Sequence, residues 1–468
     1  MRFMPHWYIL EKTSATGRFR IAPIVHWPLL KTCSDKEETP MNAEHSVTLK
    51  EVFLEAVTAC SPRTLLPPLI ESSRDCIRIA GHSLGNNPLH VFGSGKAAVS
   101  MANSLYTALG KRIAGGTLVS PEESPTLPPN LRHFTGDHPI PTERSYRAGQ
   151  VMMQAMKSLL PSDRFVYLLS GGSSALMEIP APPFSISDIA IATKLLFEAG
   201  LPIADTNMVR IHLSRLKGGG LSKQIRAKGI VLVMSDVLDS PLSVIGSAPL
   251  WPVKRNYNAC VDLLRNNGLW PALPANIRSF LTKSPEEEPL SFAIPHEIVA
   301  DNRTMLYAVR AALEDRKVPV RIVSDHLDGE AADVGHGIAG LALNVSESLK
   351  DGEKLALLFS GETTVTVKGN GTGGRCQELA LAALAELQGN PAITLFTAGS
   401  DGRDGPTDAA GAVADHRIWI KSQEIGLFSE KFLAQNDSYH FFQSTGGLIN
   451  TGPTGINLLD IVIALIQR

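Results

Sequence analysis

The chain has 468 residues, with 44 basic and 46 acidic side chains and a net charge of −2. That balance offers no basic field for nucleic acid and no acidic excess that would keep the chain unfolded. A hydrophobic content of 44% is that of a globular protein, and the length implies two domains or more.

Residues 1–40 read as an atypical tail. They are basic and carry no ordered succession of charged, apolar and cleavage regions of the secretory kind. From about residue 45 one pattern recurs. An apolar, β-rich run ends in a turn of Gly, Ser or Asp, and a helical stretch usually follows. The run PLHVF from 88 empties into Gly93-Ser94-Gly95-Lys96, and RFVYLL from 164 into Ser170-Gly171-Gly172-Ser173-Ser174. GIVLVM from 229 leads to Ser235-Asp236, KLALLF from 354 to Ser360-Gly361-Glu362, and AITLFT from 392 to Gly399-Ser400-Asp401. Further strands are expected at 296–300 and 319–323.

Strands alternating with helices predict an α/β fold with a mainly parallel sheet, and continuous apolar runs predict a sheet covered on both faces. The stretch 281–295, with three prolines and three consecutive glutamates, reads as a linker. It divides an N-terminal part (45–285) from a C-terminal part (296–468), with the site expected between them. The longest membrane candidate, 458–466, is about half the roughly 20 residues a span needs and carries Asp460, so no membrane is expected. Five scattered cysteines (Cys33, Cys60, Cys76, Cys260, Cys376) without a CxxC pair argue against a disulfide framework or a structural zinc, and fit the cytoplasm.

Every turn named above lies where an α/β sheet binds ligands, beyond the carboxyl ends of its strands. Gly93-Ser94-Gly95-Lys96 lacks the first glycine and the hydroxyl of a P-loop, but a Gly-rich turn before a helix can present N–H groups to an anion, with Lys96 adding a charge. The bland alternative is a plain strand–helix turn. The 170–174 turn is read as an anion nest or, equally, a capped helix start. In 205–220, a helix is expected with Asp205 at its start and Gly218 to Gly220 at its end. At about 100° per residue, Asn207, Arg210, Ser214 and Lys217 would share one stripe, opposite Val209, Leu213 and Leu216. Either the stripe meets a ligand or it is a solvated face. Asp236, Asp401 and Asp408 are candidate carboxylates for Mg²⁺, and Asp236 also for general base work. Asn302, after the strand at 296–300, is a further binding candidate. In 357–378 a Val/Thr run leads to Gly369, Gly371, Gly373 and Gly374 beside Arg375, at the start of a helix. Several Gly nests, a few cations and a few carboxylates are the parts phosphoryl transfer requires. A nicotinamide fold would instead show GxGxxG with a well-placed acidic residue, and neither Gly cluster supplies it.

These stretches resemble the class II glycerate kinases, whose C-terminal half is called the MOFRL domain. The resemblance is carried by FGSGKAA, GDHPIPTERS (136–145), LLSGGSSAL, NMVRIHLSRLKGGGLS, SDVLDSPLSVIGSAP, LFSGETTVTVKGNGTGGRCQELALA, TAGSDGRDGPTDAAGAV, NDSYHFF and TGPTGIN, over 45–468. It implies a Rossmann-like N-terminal domain, a smaller α/β C-terminal domain and an active site in the cleft between them. It also implies transfer of the γ-phosphoryl of ATP to D-glycerate with Mg²⁺, giving 2-phosphoglycerate, with Lys96 and Arg375 in the active site. Three departures stand out. Cys376 replaces the family's usual Asn, the aspartates after Asp236 are rearranged around Asp239, and the last motif ends Gly455-Ile456-Asn457-Leu458-Leu459-Asp460. The expected partners are ATP and D-glycerate, with no nucleic acid and a homodimer as the assembly considered. The rival reaction is NAD(P)H-dependent hydroxypyruvate reduction.

Overall fold

The computed structural model describes residues 7–12, 19–24, 49–124, 126–283 and 294–468. Strands Trp7–Lys12 and Phe19–Ile24 pair antiparallel. Most of the expected tail and most of the expected linker lie outside the described residues.

Two six-stranded sheets organise the rest. The first contains β1 (Leu89–Ser94), β2 (Ile113–Ser120), β3 (Leu131–Thr135), β4 (Arg164–Ser170), β5 (Lys228–Met234) and β6 (His296–Ala300), in the order β6-β5-β4-β1-β2-β3. Every pairing in it is parallel. β4 and β5 are buried almost throughout, because helices cover both faces. β6 was expected to open the C-terminal part. It instead pairs with β5 and closes the edge of the first sheet.

The second sheet holds β7 (Val320–Leu327), β8 (Lys354–Gly361), β9 (Ile393–Gly399), β10 (Gly411–Ala414), β11 (Leu448–Ile449) and β12 (Asp460–Gln467), in the order β7-β8-β12-β9-β10-β11. It is mixed: β7 and β8 are parallel, and the other pairs antiparallel. The apolar run at 458–466 becomes β12, buried from Asp460 to Ile466 at the centre of this sheet.

The sheets are held together by helices α1 (Leu49–Ala59) and α5 (Asn302–Asp315); α2 to α4, which lie between these in the chain, are introduced with the site. Phe53 of α1 meets Phe396 of β9 at 5.5 Å between ring centroids. One apolar cluster runs from Val91 and Leu118 in the first sheet to Phe396 and Ile463 in the second. At the surface, Arg316 grips both carboxylate oxygens of Glu55. The start of α5 is fixed by a reciprocal cap between Asp301 and Thr304.

Candidate active site

The first sheet reverses its strand order between β1 and β4, and such a switch point is where α/β sheets form a crevice. Both Gly/Ser turns leave from these two strands. After β1 the chain enters α2 (Ala98–Leu109), and its turn is knitted to the neighbours. Gly95 N–H donates to Val119 O, Lys96 N–H to Gly171 O and Ala97 N–H to the Ser170 hydroxyl. Gly95 has φ +125°, and a Cβ there would sit 2.2 Å from Ser170 Oγ. These glycines therefore let two turns interlock. The expected anion nest at Gly93 and Gly95 is already spent on the protein, and what it offers a ligand is the Lys96 side chain. Ser94, Ser170 and Ser173 are buried too. Ser94 bonds to Tyr167 (2.6 Å) and to Ser173 (2.5 Å). They build the floor of the site rather than its open face.

The second turn faces outward. Gly172, at φ +82°, precedes the short helix Ser173–Leu176. A Cβ on Gly171 would strike Asp236 Oδ2 at 1.9 Å, so the missing side chain lets the half-buried Asp236 carboxylate lie against the turn. Burial raises the pKa of Asp236, and the Lys96 charge partly offsets that. Asn457 Nδ2, from the loop before β12, donates to Asp236 Oδ2 at 3.2 Å and ties it to the second sheet. Lys96 Nζ stands 3.6 Å from Asp401 Oδ2, at the end of β9.

Two cavities open beside this junction. The larger, about 800 Å³, is lined by Arg63, Lys96, Asn103, Thr107, Asp401 and Arg403 among others. The smaller, about 490 Å³, is lined by Gly172, Ser174, Asn207, Arg210, Asp236 and Glu362, with an apolar rim that includes Ile203 and Leu238. His138 lines both. It lies in the loop between β3 and the helix Glu143–Lys157, α3. Desolvation in the cleft, then the charges of Lys96 and Arg210, push its pKa down to about 4, which keeps the ring neutral. No role was read for His138 in the sequence, where it stood only as a letter of GDHPIPTERS. A histidine before a proline carries no periodic or charge signal of its own.

The stripe expected along 205–220 is only half realised. α4 (Ile203–Leu213) starts after Pro202, with Asp205 in its first turn, and stops seven residues before Gly220. Ser214 leaves the helix to form a bridge with Pro180. Asn207 and Arg210 remain on α4 and reach the smaller cavity. Arg210 donates to Ser174 Oγ and O at 2.7 Å each, while its buried Nε has no partner among the described residues. Lys217 lies elsewhere. It is buried against Glu178, which also accepts from Ser214, and burial lowers its pKa to about 8. This is a structural ion pair and no ligand group.

The loop at 369–374 also departs from the expected phosphate cradle. Asn436 accepts from Lys368 N–H (2.7 Å) and Gly369 N–H (3.0 Å), and Gln435 O from Gly371 N–H (2.9 Å). Asp437 accepts from Thr372 N–H at 2.8 Å. Asp404 caps the next helix, α7 (Arg375–Leu387), by accepting from Cys376 N–H and Gln377 N–H at 3.0 and 2.8 Å; the helix between α5 and α7 is α6 (Ala331–Ser348). Gly373 and Gly374 pack so closely on Ser438 and Asp404 that a Cβ would come within 2.2 Å of either. Arg375 forms two bonds to Asp460 (2.5 and 3.0 Å) and one ion pair to Glu362 (2.7 Å). Burial alone would lower its pKa, but those carboxylates outweigh it and raise it. Arg375 thus holds Glu362 at the wall of the smaller cavity. Cys376 is buried, its thiol raised by burial, with its backbone N–H taking part in the cap.

Three further candidates are structural or peripheral. Gly361 passes so near Leu327 that a Cβ would lie 2.1 Å from its carbonyl. Asn302 donates to Asp325 O at 2.6 Å and lines neither cavity. Asp408 accepts from the Tyr439 hydroxyl at 2.8 Å and is likewise outside both.

A doubly covered parallel sheet, a lysine at its switch point with a half-buried carboxylate beside it, and a second α/β unit facing them define a two-sheet α/β enzyme with its site between the sheets. Residues 48–282 match the model of a domain of unknown function (DUF4147), and 355–460 that of the MOFRL family. The chain is 35% identical to a D-glycerate 2-kinase of Thermotoga maritima, over 80% of this chain and 89% of that one. It is 32% identical to a glycerate 2-kinase of Pyrococcus horikoshii, over 88% and 95%. A crystal structure described as glycerate kinase from Thermotoga maritima superposes with a TM-score of 0.77 at 32% identity, covering 90% of this chain and 99% of that one. The chain belongs to the MOFRL family of two-domain glycerate kinases.

Proposed function

We propose that the protein transfers the γ-phosphoryl group of ATP to D-glycerate, giving 2-phosphoglycerate and ADP. The observation that carries this reading is the junction itself. Lys96, Asp236 and the open turn at Gly171 and Gly172 converge where two cavities meet. Phosphoryl transfer asks mostly for positioning and charge neutralisation, and those are the groups present.

ATP takes the larger cavity, where Arg63, Arg403 and Lys96 face its phosphates. Glycerate takes the smaller, with its carboxylate toward Arg210 and its hydroxyls toward Ser174 and Asn207. Lys96 neutralises charge growing on the transferring group, and Asp236 receives the hydroxyl proton. Arg375 acts through Glu362, which it positions.

The metal reading narrows to two carboxylates. Among the described residues no three His, Cys, Asp or Glu side chains converge as a cage. Mg²⁺ does not need one: it is held by one or two carboxylates plus substrate phosphates. Asp236 and Asp401 are near enough that the charge of Asp401 acts on Asp236, so this pair fits, and Asp408 does not join it. When bound, the ion would offset phosphate charge. Among the described residues no helix is long and apolar enough to cross a membrane. The described cysteines are free, which suits the reducing cytoplasm.

The test is turnover with ATP, Mg²⁺ and D-glycerate in the absence of nicotinamide. ADP should form in step with phosphoglycerate, and chelation of Mg²⁺ should stop both. No turnover, together with NADH oxidation by hydroxypyruvate, would assign the chain to the reductase reaction.

A further inference from the structure

His138 is the one side chain that lines both cavities. Its Cδ2–Nε2 edge lies over the open turn: a Cβ built on Gly172 would be 3.3 Å from Cδ2 and 3.7 Å from Nε2. Gly172 therefore leaves space in front of that nitrogen, next to Gly171, against which the Asp236 carboxylate lies. His138 is exposed, and its open surface faces the cavities rather than a neighbouring element. Among the described residues neither nitrogen has a hydrogen-bond partner. The cap of α3 is made without it, by Thr142 and Ser145.

A ligand that bridges the cavities must pass this ring. In the transfer reaction the only such group is the phosphoryl in flight, joined to ADP on one side and approached by the acceptor on the other. We propose that His138 is a catalytic residue that donates a hydrogen bond from Nε2 to an oxygen of the transferring phosphoryl group. This inference rests on the kinase reading above. The acceptor oxygen forms the new P–O bond and the bond to ADP breaks, with the electron pair leaving on ADP. The hydroxyl proton passes to Asp236 and then to water. His138 neither gains nor loses a proton. Its neutral state, maintained by desolvation in the cleft and then by the cations beside it, adds a donor next to Lys96 without a second positive charge.

Two isosteric variants separate this role from a structural one. The amide nitrogen of Gln overlays Nε2, and that of Asn overlays Nδ1. His138→Gln should keep kcat within about 10-fold of the unsubstituted enzyme, whereas His138→Asn should lose about 10²-fold, the usual loss for one donor to a developing charge. ATP affinity, measured by calorimetry with ATP itself, should change little in both. Melting temperatures confirm that each variant is folded. Equal rates for the two variants, or a near-normal rate for His138→Asn, overturn the proposal. Absence of phosphoglycerate from the unsubstituted enzyme in the same assay instead overturns the kinase reading.

Discussion

In the turn at 170–174, Gly171 and Gly172 leave room for the side chains of Asp236 and His138, which come from other elements and face cavities. In the loop at 369–374, the room left by four glycines is filled by the chain itself: residues 435–438 on one side and Asp404 on the other. As strings both are rich in glycine, the second more than the first. The first spends its missing side chains on an open junction, the second on close packing within the chain. A glycine cluster thus marks close approach, and what approaches is decided by the tertiary structure.

The same contrast separates two lysines, and its mutants have the largest expected effects. Lys217→Met leaves Glu178 buried without its partner and should cost about 3–5 kcal/mol of stability, read from chemical denaturation. The double variant with Glu178→Leu should recover much of that loss. Lys96→Ala removes a side chain that is 39% exposed. It should leave stability nearly unchanged and lower kcat by 10²–10³-fold, about 3–4 kcal/mol of transition-state stabilisation. A reversal of the two phenotypes would mean that the roles have been exchanged.

Glycine substitutions sharpen the comparison at smaller cost. Gly374→Ala drives a Cβ into Asp404 and should destabilise by about 1–3 kcal/mol, with turnover per folded molecule close to normal. Gly171→Ala pushes on Asp236, so its loss should be read in kcat more than in the melting temperature.

A pH dependence is expected at the packed loop as well. Burial raises the pKa of Asp404 to about 6, above the ordinary carboxylate value. A group raised in the folded state contributes stability at low pH, and that contribution is lost as pH climbs through 6. The melting temperature of the protein, relative to that of Asp404→Asn, should therefore fall between about pH 4 and 6.5. A difference that is flat with pH would remove the charge of Asp404 from the account.

Much of the fold was legible because buried parallel strands are written as continuous apolar runs. β1, β4, β5, β8 and β9 were each readable that way, together with the turns that end them. β2 was not, since Ile113–Ser120 carries Gly115 and Gly116 in its middle. β10 and β11 are too short to show a pattern. β6 was legible as a strand but not as a member of the first sheet, because pairing is decided by geometry outside its five residues. Within the site, Lys96, Asp236 and Arg210 were readable from position and charge. Lys217 misled because helical spacing was carried past Leu213, where the bridge between Ser214 and Pro180 ends the helix. His138 was invisible because its importance lies in where two cavities meet.

The junction of Lys96, Gly171 and Asp236 is the proposed place of transfer. Phosphorus NMR of ATP, Mg²⁺ and D-glycerate incubated with the enzyme measures that directly. The protein should produce ADP and one phosphomonoester resonance, that of 2-phosphoglycerate, while Lys96→Ala, folded to the same melting temperature, should produce almost none. Equal product from both, or no phosphoglycerate from the unsubstituted chain, would contradict it.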